Sequence, residues 1–459
     1  LKADFLSSGA LYVFIKNHRL LHVRPSSSDA WAKWAVVMIA AAFAWLLLIS
    51  ASPARARSPT PQAPPSRFIL LADDDYRPCT FEADTNSRPK VWLDVFRRDT
   101  KSFEGRASQL DGPGADHFAR AFERCIDELE RQGEKVNVVT LCRLREECLR
   151  AAGFHDIFEK VKREENDNAL NLLPAVLSAF DAVGDSRARL ERAVRGVFAG
   201  NIFDLGASAS IERFEAGKRK SSGSPGAGSA GFLDTCDTLI AAGSSRMAVD
   251  NLEAFLDSVA TADRNPEDGS FGYQRVLIFV DNAGADVVLG ILPLVREFLA
   301  FRPGVRVTLA ANERPAINDV CASELRELLD ELAKISMDTS LPPSPGLIEL
   351  GAAWRSGQLR VASSGGDLPL IDLRAVGAEV QAAAAEADLV LLEGMGRGIE
   401  TNLEAKLKVN CLNLGMIKHS EVAELLGAKN FDCVCRFKPG VASQKVMSQQ
   451  VSSNMELKE

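Results

Sequence analysis

Two kinds of hydrophobic spacing divide this chain. From Arg67 to about Lys220 apolar residues recur at helical intervals. His117–Gln132 places Phe118, Phe122, Cys125, Ile126 and Leu129 on one face. Leu141–Ala152 and Ile157–Ala182 continue the pattern, with Pro174 expected to break the last of them. After Gly272 short apolar runs rich in β-branched residues predict strands at 275–280, 305–310, 359–362, 389–392, 413–417 and 431–437. Between them lie helical stretches at 288–301, 322–335 and 376–387. Strands alternating with helices imply right-handed βαβ units. The expected fold is therefore α/β, a largely parallel sheet flanked by helices, with a mainly helical N-terminal subdomain. The helical part spans 68–270 and the α/β part 271–440, and 441–459 reads as a flexible tail.

The first 67 residues follow neither pattern. Trp34 to Ala54 contains no charged residue and is about the length of one transmembrane helix. Trp31, Trp34 and Trp45 lie at or near its ends, as interfacial aromatics do. The chain begins at Leu1 rather than Met, so three readings stay open: a single membrane anchor, a cleaved targeting segment, or a non-native leader. Ser58–Ser66 (SPTPQAPPS) is an extended Pro/Ser linker. Lys218–Gly231 (KRKSSGSPGAGSAG) reads as a flexible surface loop.

Composition narrows the function classes. Of 459 residues, 46% are hydrophobic and 25% charged, which suits a globular protein. Acidic residues outnumber basic ones 62 to 54, so no domain-wide basic field attracts nucleic acid. The 5 histidines (His18, His22, His117, His155 and His419) are scattered, which disfavours a histidine-rich zinc site. The 9 cysteines are odd in number and lack CxxC spacing, so reduced thiols are expected; Cys433 and Cys435 should share one face of a strand.

Ligands of open α/β sheets bind at the carboxyl ends of the strands. The strand 275–280 ends in Asp281-Asn282-Ala283-Gly284, an acid and an amide suited to a hard cation, although Asn282 would equally cap a following helix. The next strand leads to Asn312-Glu313 and then Asp319, which would complete a metal site or cap the helix starting near Ala322. A third ends in Glu393-Gly394-Met395-Gly396-Arg397, where exposed backbone N–H groups and an arginine suit a phosphate cradle, although by itself EGMGR reads equally as an ordinary glycine-rich turn. A fourth ends in Ile417-Lys418, whose ammonium either offsets phosphate charge or is merely solvated. No Gly-x-x-x-x-Gly-Lys-Ser/Thr loop is present, and Gly-x-Gly-x-x-Gly does not follow the first strand. Together the strand ends suit metal-assisted hydrolysis of a phosphate monoester, with Arg397 and Lys418 stabilising equatorial charge.

FVDNAGADVVLGILPLVREFL, LAANERPAINDV, ADLVLLEGMGRGIETN and LGMIKHSEVAELLGA resemble the metal-dependent damage-control phosphatases. So do LCRLREECLRAAGFHDIFEKVKREENDNAL and VRGVFAGNIFDLG upstream, and the resemblance covers about Tyr76 to Lys438. It implies a phosphoric monoester hydrolase that uses Mn2+ or Ni2+, with Mg2+ or Co2+ as alternatives. The implied substrates are small phosphorylated metabolites, such as fructose 1-phosphate or phosphopantetheine and its damaged forms. The family's metal ligands fall on Asp281, Asn282 and Asp319, its phosphate contact on Glu393, Gly394, Met395, Gly396 and Arg397, and its lysine on Lys418. Asn201 and Asp204 are expected at the same cleft. Arg143 and Arg145 are either substrate contacts or helix-surface residues. The resemblance places the catalytic domain in the cytoplasm, unless segment 34–54 anchors or targets it; oligomeric state stays open. Two rivals remain: a carboxyl methyltransferase using S-adenosylmethionine, and a silent, membrane-tethered binding protein.

Overall fold

The computed structural model describes residues 2–6, 10–14, 64–79, 91–110, 114–133, 136–202, 227–262, 272–340 and 342–441. The chain divides into two units, Leu1–Gln62 and Ala63–Glu459. In the first, β1 (Lys2–Leu6) and β2 (Ala10–Phe14) pair antiparallel. The apolar segment 34–54 lies outside the described residues. Among those described, no helix is long and apolar enough to cross a membrane.

The second unit is built on a seven-stranded sheet. Its strands are β3 (Met247–Asp250), β4 (Arg275–Phe279), β5 (Arg306–Ala311), β6 (Leu359–Ser363), β7 (Leu389–Glu393), β8 (Asn410–Met416) and β9 (Cys433–Lys438). Their spatial order is β3-β9-β8-β7-β4-β5-β6, and every pairing is parallel except β8 with β9. The α/β expectation therefore holds. The chain runs outward from β4 through β5 to β6, then returns beside β4 with β7 and continues the other way through β8. The β4/β7 boundary is thus a topological switch point, where two βα connections diverge and leave a crevice.

Burial explains both faces of the sheet. Val276, Ile278, Val307, Leu309, Leu389, Leu391, Leu412 and Leu414 point into one core. Leu277, Phe279, Ala310, Val390 and Leu392 point into another. A strand covered on both sides reads as an uninterrupted apolar run, as RVLIF does. Cys433 and Cys435 share the first core, while Val434 faces away from it, and all nine cysteines are free thiols.

Helices α1 (Val91–Ala107), α2 (Gly114–Gln132) and α3 (Val138–Ala151) pack together over Met395, Ile399 and Ile417, residues that follow β7 and β8. They therefore roof the carboxyl end of the sheet. Helices α4 (Glu159–Asp181), α5 (Ser186–Asn201), α6 (Ala227–Ala242) and α7 (Leu252–Thr261) bury their apolar stripes in the first core. Helix α8 (Leu292–Phe301) joins them after β4, with α9 (Ala322–Ile335) and α10 (Pro345–Ser356). Two short helices, α11 (Ala378–Ala384) and α12 (Ser420–Leu425), complete the set.

Several expectations need correction. Pro174 does not break its helix: α4 runs through it. Proline in a helix interior costs about 3 kcal/mol, and the flanking Leu170, Leu173, Val176 and Leu177 are all buried, which offsets that cost. The stretch read as a loop to Gly231 is already helical from Ala227; residues 218–226 lie outside the described residues. Strand β3 lies inside the part read as helical, because four residues give too little pattern to detect. The unit boundary falls at 62/63, and Ser66 already pairs with Val376.

Candidate functional site

The site is assembled where β4, β5, β7 and β8 end. Backbone bonds fix the loop that carries Asp319: Val320 N–H donates to the Asp281 carbonyl (3.0 Å), and Ala283 N–H to that of Asn318 (3.0 Å). Ala322 N–H donates to the Asn312 carbonyl (2.8 Å), which joins the same loop to the end of β5. Ile317 takes a left-handed backbone (φ 44°), unfavourable for a β-branched side chain and tolerated here because its neighbours are so firmly tied.

After β7 the chain turns sharply at Gly394 (φ 94°), and a Cβ there would fall on the Asp281 carboxylate. Only glycine permits this approach. The following π-helical turn, Met395–Glu400, is pinned by Thr401 Oγ1–H to the Gly396 carbonyl (2.6 Å) and Asn402 Nδ2–H to that of Arg397 (2.9 Å).

That turn brings Arg397 into a buried polar cluster. Its Nη1 donates to Asp281 Oδ1, and its Nη2 donates to Asp319 Oδ2 (2.6 Å) and Asn312 Oδ1 (3.1 Å). Behind it, Glu393 accepts from Asp281 N–H (2.8 Å) and Asn201 Nδ2–H (3.3 Å). Asp286 Oδ2 accepts from Asn201 Nδ2–H (3.0 Å) and Asn282 Nδ2–H (2.9 Å). Carboxylate oxygens of Asp281, Asp286 and Glu393 lie within 4.8 Å of one another. Burial first, and then the neighbouring carboxylates, push Asp281 and Glu393 well above the usual carboxylate range, against the opposing pull of Arg397. Arg397 itself is raised: burial works against its charge, but Asp319 and Asp281 outweigh it.

Asp281, Asp286, Asp319 and Glu393 are buried here with Arg397 and Lys418. Fully ionised, four negative charges face two positive ones, a deficit of two. Burying unbalanced charge is costly, so the cluster favours either protonation or a bound divalent cation.

Over this cluster lies a cavity of about 70 Å³. Asp281, Asn282, Asp319, Met395 and Gly396 line it, while Glu393, Gly394, Arg397, Lys418 and Asn201 stand behind that wall. The alternatives left open by sequence resolve simply. The cap of α9 is Cys321, not Asp319, and the turn after β4 is capped by Ala285, not Asn282. Lys418 is buried at 2% exposure rather than solvated. Asn201 spends its side chain on Asp286, Glu393 and Met416 N–H (3.2 Å), bracing the carboxylates from behind. Asp204 lies outside the described residues. Arg143 is exposed, but Arg145 is buried and lines the cavity.

Sequence reasoning missed Asp286, whose place five residues after Asp281 was read as the approach to a helix. It also missed Trp92, Phe96, Phe103, Glu400 and His419 on the cavity wall. The closeness of Asp286 to Asp281, of Glu400 to Arg397 and of His419 to Lys418 was the signal available; Trp92, Phe96 and Phe103 come from a helix distant in sequence.

An acidic crevice at the switch point of an open α/β sheet, roofed by helices, defines a class of small-ligand protein. The chain belongs to the damage-control phosphatase ARMT1-like family, whose model matches residues 109–434. It is 39% identical to a damage-control phosphatase of Arabidopsis thaliana over 401 residues, covering 83% of this chain and 96% of that one. It is 35% identical to pantothenate kinase 2 of the same plant, covering 81% of this chain and 42% of the relative. Against mouse 4'-phosphopantetheine phosphatase identity is 27%, covering 80% of this chain and 48% of the relative. The chain thus spans under half of these two longer proteins. A DUF89 family protein from Pyrococcus horikoshii shares the fold, with TM-score 0.50 and 16% identity over 75% of this chain and 96% of that one.

Proposed function

We propose that this chain is a divalent-metal-dependent phosphatase that hydrolyses phosphate monoesters of small metabolites. The observation that carries the reading is that four buried carboxyl groups, Asp281, Asp286, Asp319 and Glu393, gather at the switch point with two buried cations, Arg397 and Lys418. Asp281, Asn282 and Asp319 line one cavity and offer only oxygen donors, which suits Mn2+, Ni2+, Mg2+ or Co2+. When bound there, such an ion would supply polarisation of a phosphoryl oxygen and a more acidic water. Arg397 braces Asp281 and Asp319 so that their carboxylates converge, and Glu393 holds the Asp281 backbone in register. Lys418 adds a buried positive charge beside Asp281. The Gly394–Gly396 turn lets backbone approach the site without side-chain obstruction.

The substrate is a small phosphorylated metabolite, either a sugar phosphate such as fructose 1-phosphate or phosphopantetheine and its damaged forms. The mouse relative named as a 4'-phosphopantetheine phosphatase supports the second. We place the catalytic domain in the cytoplasm, which cell fractionation checks.

The test is hydrolysis of p-nitrophenyl phosphate. A chelator should abolish it and Mn2+ restore it, and Asp281→Ala and Asp319→Ala should each lower kcat/KM by at least about 100-fold. Full activity in either variant, or turnover indifferent to chelation, would sink the proposal.

A further inference from the structure

The wall facing the carboxylates carries hydrogen-bond donors without an acceptor among the described residues. Trp92, on α1, is 1% exposed, and its indole Nε1–H is buried without an acceptor among the described residues. Arg145, on α3, is 7% exposed. Its Nε and Nη2 both donate to a single oxygen, Glu146 Oε1 (3.1 Å each), and Nη1 has no hydrogen bond among the described residues. The guanidinium is held between rings, 4.5 Å from the Phe103 centroid and 5.5 Å from that of Phe96. Both residues line the same cavity as Asp281 and Asp319. A buried donor left unmade costs stability, and such costs are retained where a ligand supplies the acceptor.

We infer that Trp92 and Arg145 read the organic part of the substrate, each donating to one of its oxygens while the phosphate lies over the carboxylate cluster. This rests on the phosphatase reading and deepens it. The chemistry also selects what those oxygens are. The charge of Arg145 is already countered by Glu146, and Asp99 and Glu400 face the same space. A second anionic group therefore gains little, whereas a hydroxyl can accept from Trp92 or Arg145 and donate to a carboxylate. The cavity of about 70 Å³ fits a phosphoryl group and a few neighbouring atoms. The substrate class is a phosphate monoester whose organic part is compact, uncharged and hydroxylated next to the ester.

Paired substrates test this. Trp92→Phe keeps the ring but removes the donor, and Arg145→Lys keeps a charge beside Glu146 but loses the free end of the fork. Each should lower kcat/KM for fructose 1-phosphate about tenfold. For phenyl phosphate, which has no acceptor beyond its phosphate, kcat/KM should stay within about twofold. Equal losses on both esters would indicate a structural role and overturn the assignment, as would no loss on the sugar phosphate. If the wild-type protein hydrolyses neither ester with any divalent metal, the phosphatase reading falls and takes this assignment with it.

Discussion

Lys162 offers the sharpest test of how the helical part positions the site. Its ammonium is 2% exposed and lies 2.8 Å from Asp156 Oδ2, 2.7 and 3.0 Å from the Glu324 oxygens, and 3.4 Å from the Asp319 carbonyl. Glu324 in turn accepts from Cys321 N–H (2.9 Å), closing the cap of α9. One buried cation thus ties α4 to the loop that delivers Asp319. Burial works against its charge, but Glu324 and Asp156 outweigh it and raise its pKa above the usual lysine value. It therefore stays ionised at neutral pH.

Lys162→Met removes the charge and keeps most of the stem. Breaking a buried ion pair costs about 3–5 kcal/mol because the surviving charge is stranded. Asp156 side-chain exposure is 8%, so it bears that cost, whereas Glu324 at 27% can recover water. The expected loss is therefore about 3 kcal/mol, at the low end of that range. Urea unfolding at pH 7 reads it as a fall in midpoint at constant slope. The double variant Lys162→Met/Asp156→Asn should recover at least about 1 kcal/mol of the loss, since no buried charge is then stranded. A single-variant loss below about 1 kcal/mol, or no recovery in the double variant, would refute the reasoning.

Two further outcomes follow from the geometry. Gly394→Ala puts a methyl group on the Asp281 carboxylate and strains a backbone at φ 94°; phosphatase activity should fall at least about 100-fold, read by steady-state kinetics on folded protein. His419 Nδ1 lies 3.5 Å from Glu400, and although burial lowers its pKa, Glu400 outweighs burial and leaves it above the usual value. A raised folded pKa means that the stabilisation is complete below the unfolded value of about 6.5 and is lost as pH rises through the folded one. Wild type should therefore exceed His419→Gln in melting temperature at pH 6, with the gap closing toward pH 9, measured with chelator throughout; a gap that widens with pH would contradict the pairing.

Strands β4, β5, β7 and β8 were legible because they are buried on both faces and bounded by polar or glycine-rich ends. Residues 322–335 were placed to the residue as α9, since its apolar stripe starts and stops sharply. Asp281, Asn282, Asp319 and the glycine turn were legible for a related reason: an open sheet presents strand ends at one rim, so polar residues there must meet. What stayed hidden was non-local. Nothing in the spacing of Trp92, Arg145 or Lys162 says that α1, α3 and α4 close over that rim. The strand-end residues they face, Asp281 and Asp319, lie more than a hundred residues away, and a buried arginine looks in sequence like any exposed one.

The structure also alters how an acidic protein would handle a phosphate. Net charge of -8 repels a phosphate at long range. At the rim the carboxylates are not a repulsive surface, because Arg397 bridges two of them and Lys418 lies close by. The remaining deficit of two charges equals that of a divalent ion, so on the proposed function affinity for the phosphate is conditional on the metal. Without the ion, protons on the raised carboxyls of Asp281 and Glu393 take up that deficit; with it, Arg397 would be partly relieved of its carboxylates. On that proposal metal and phosphate should bind cooperatively.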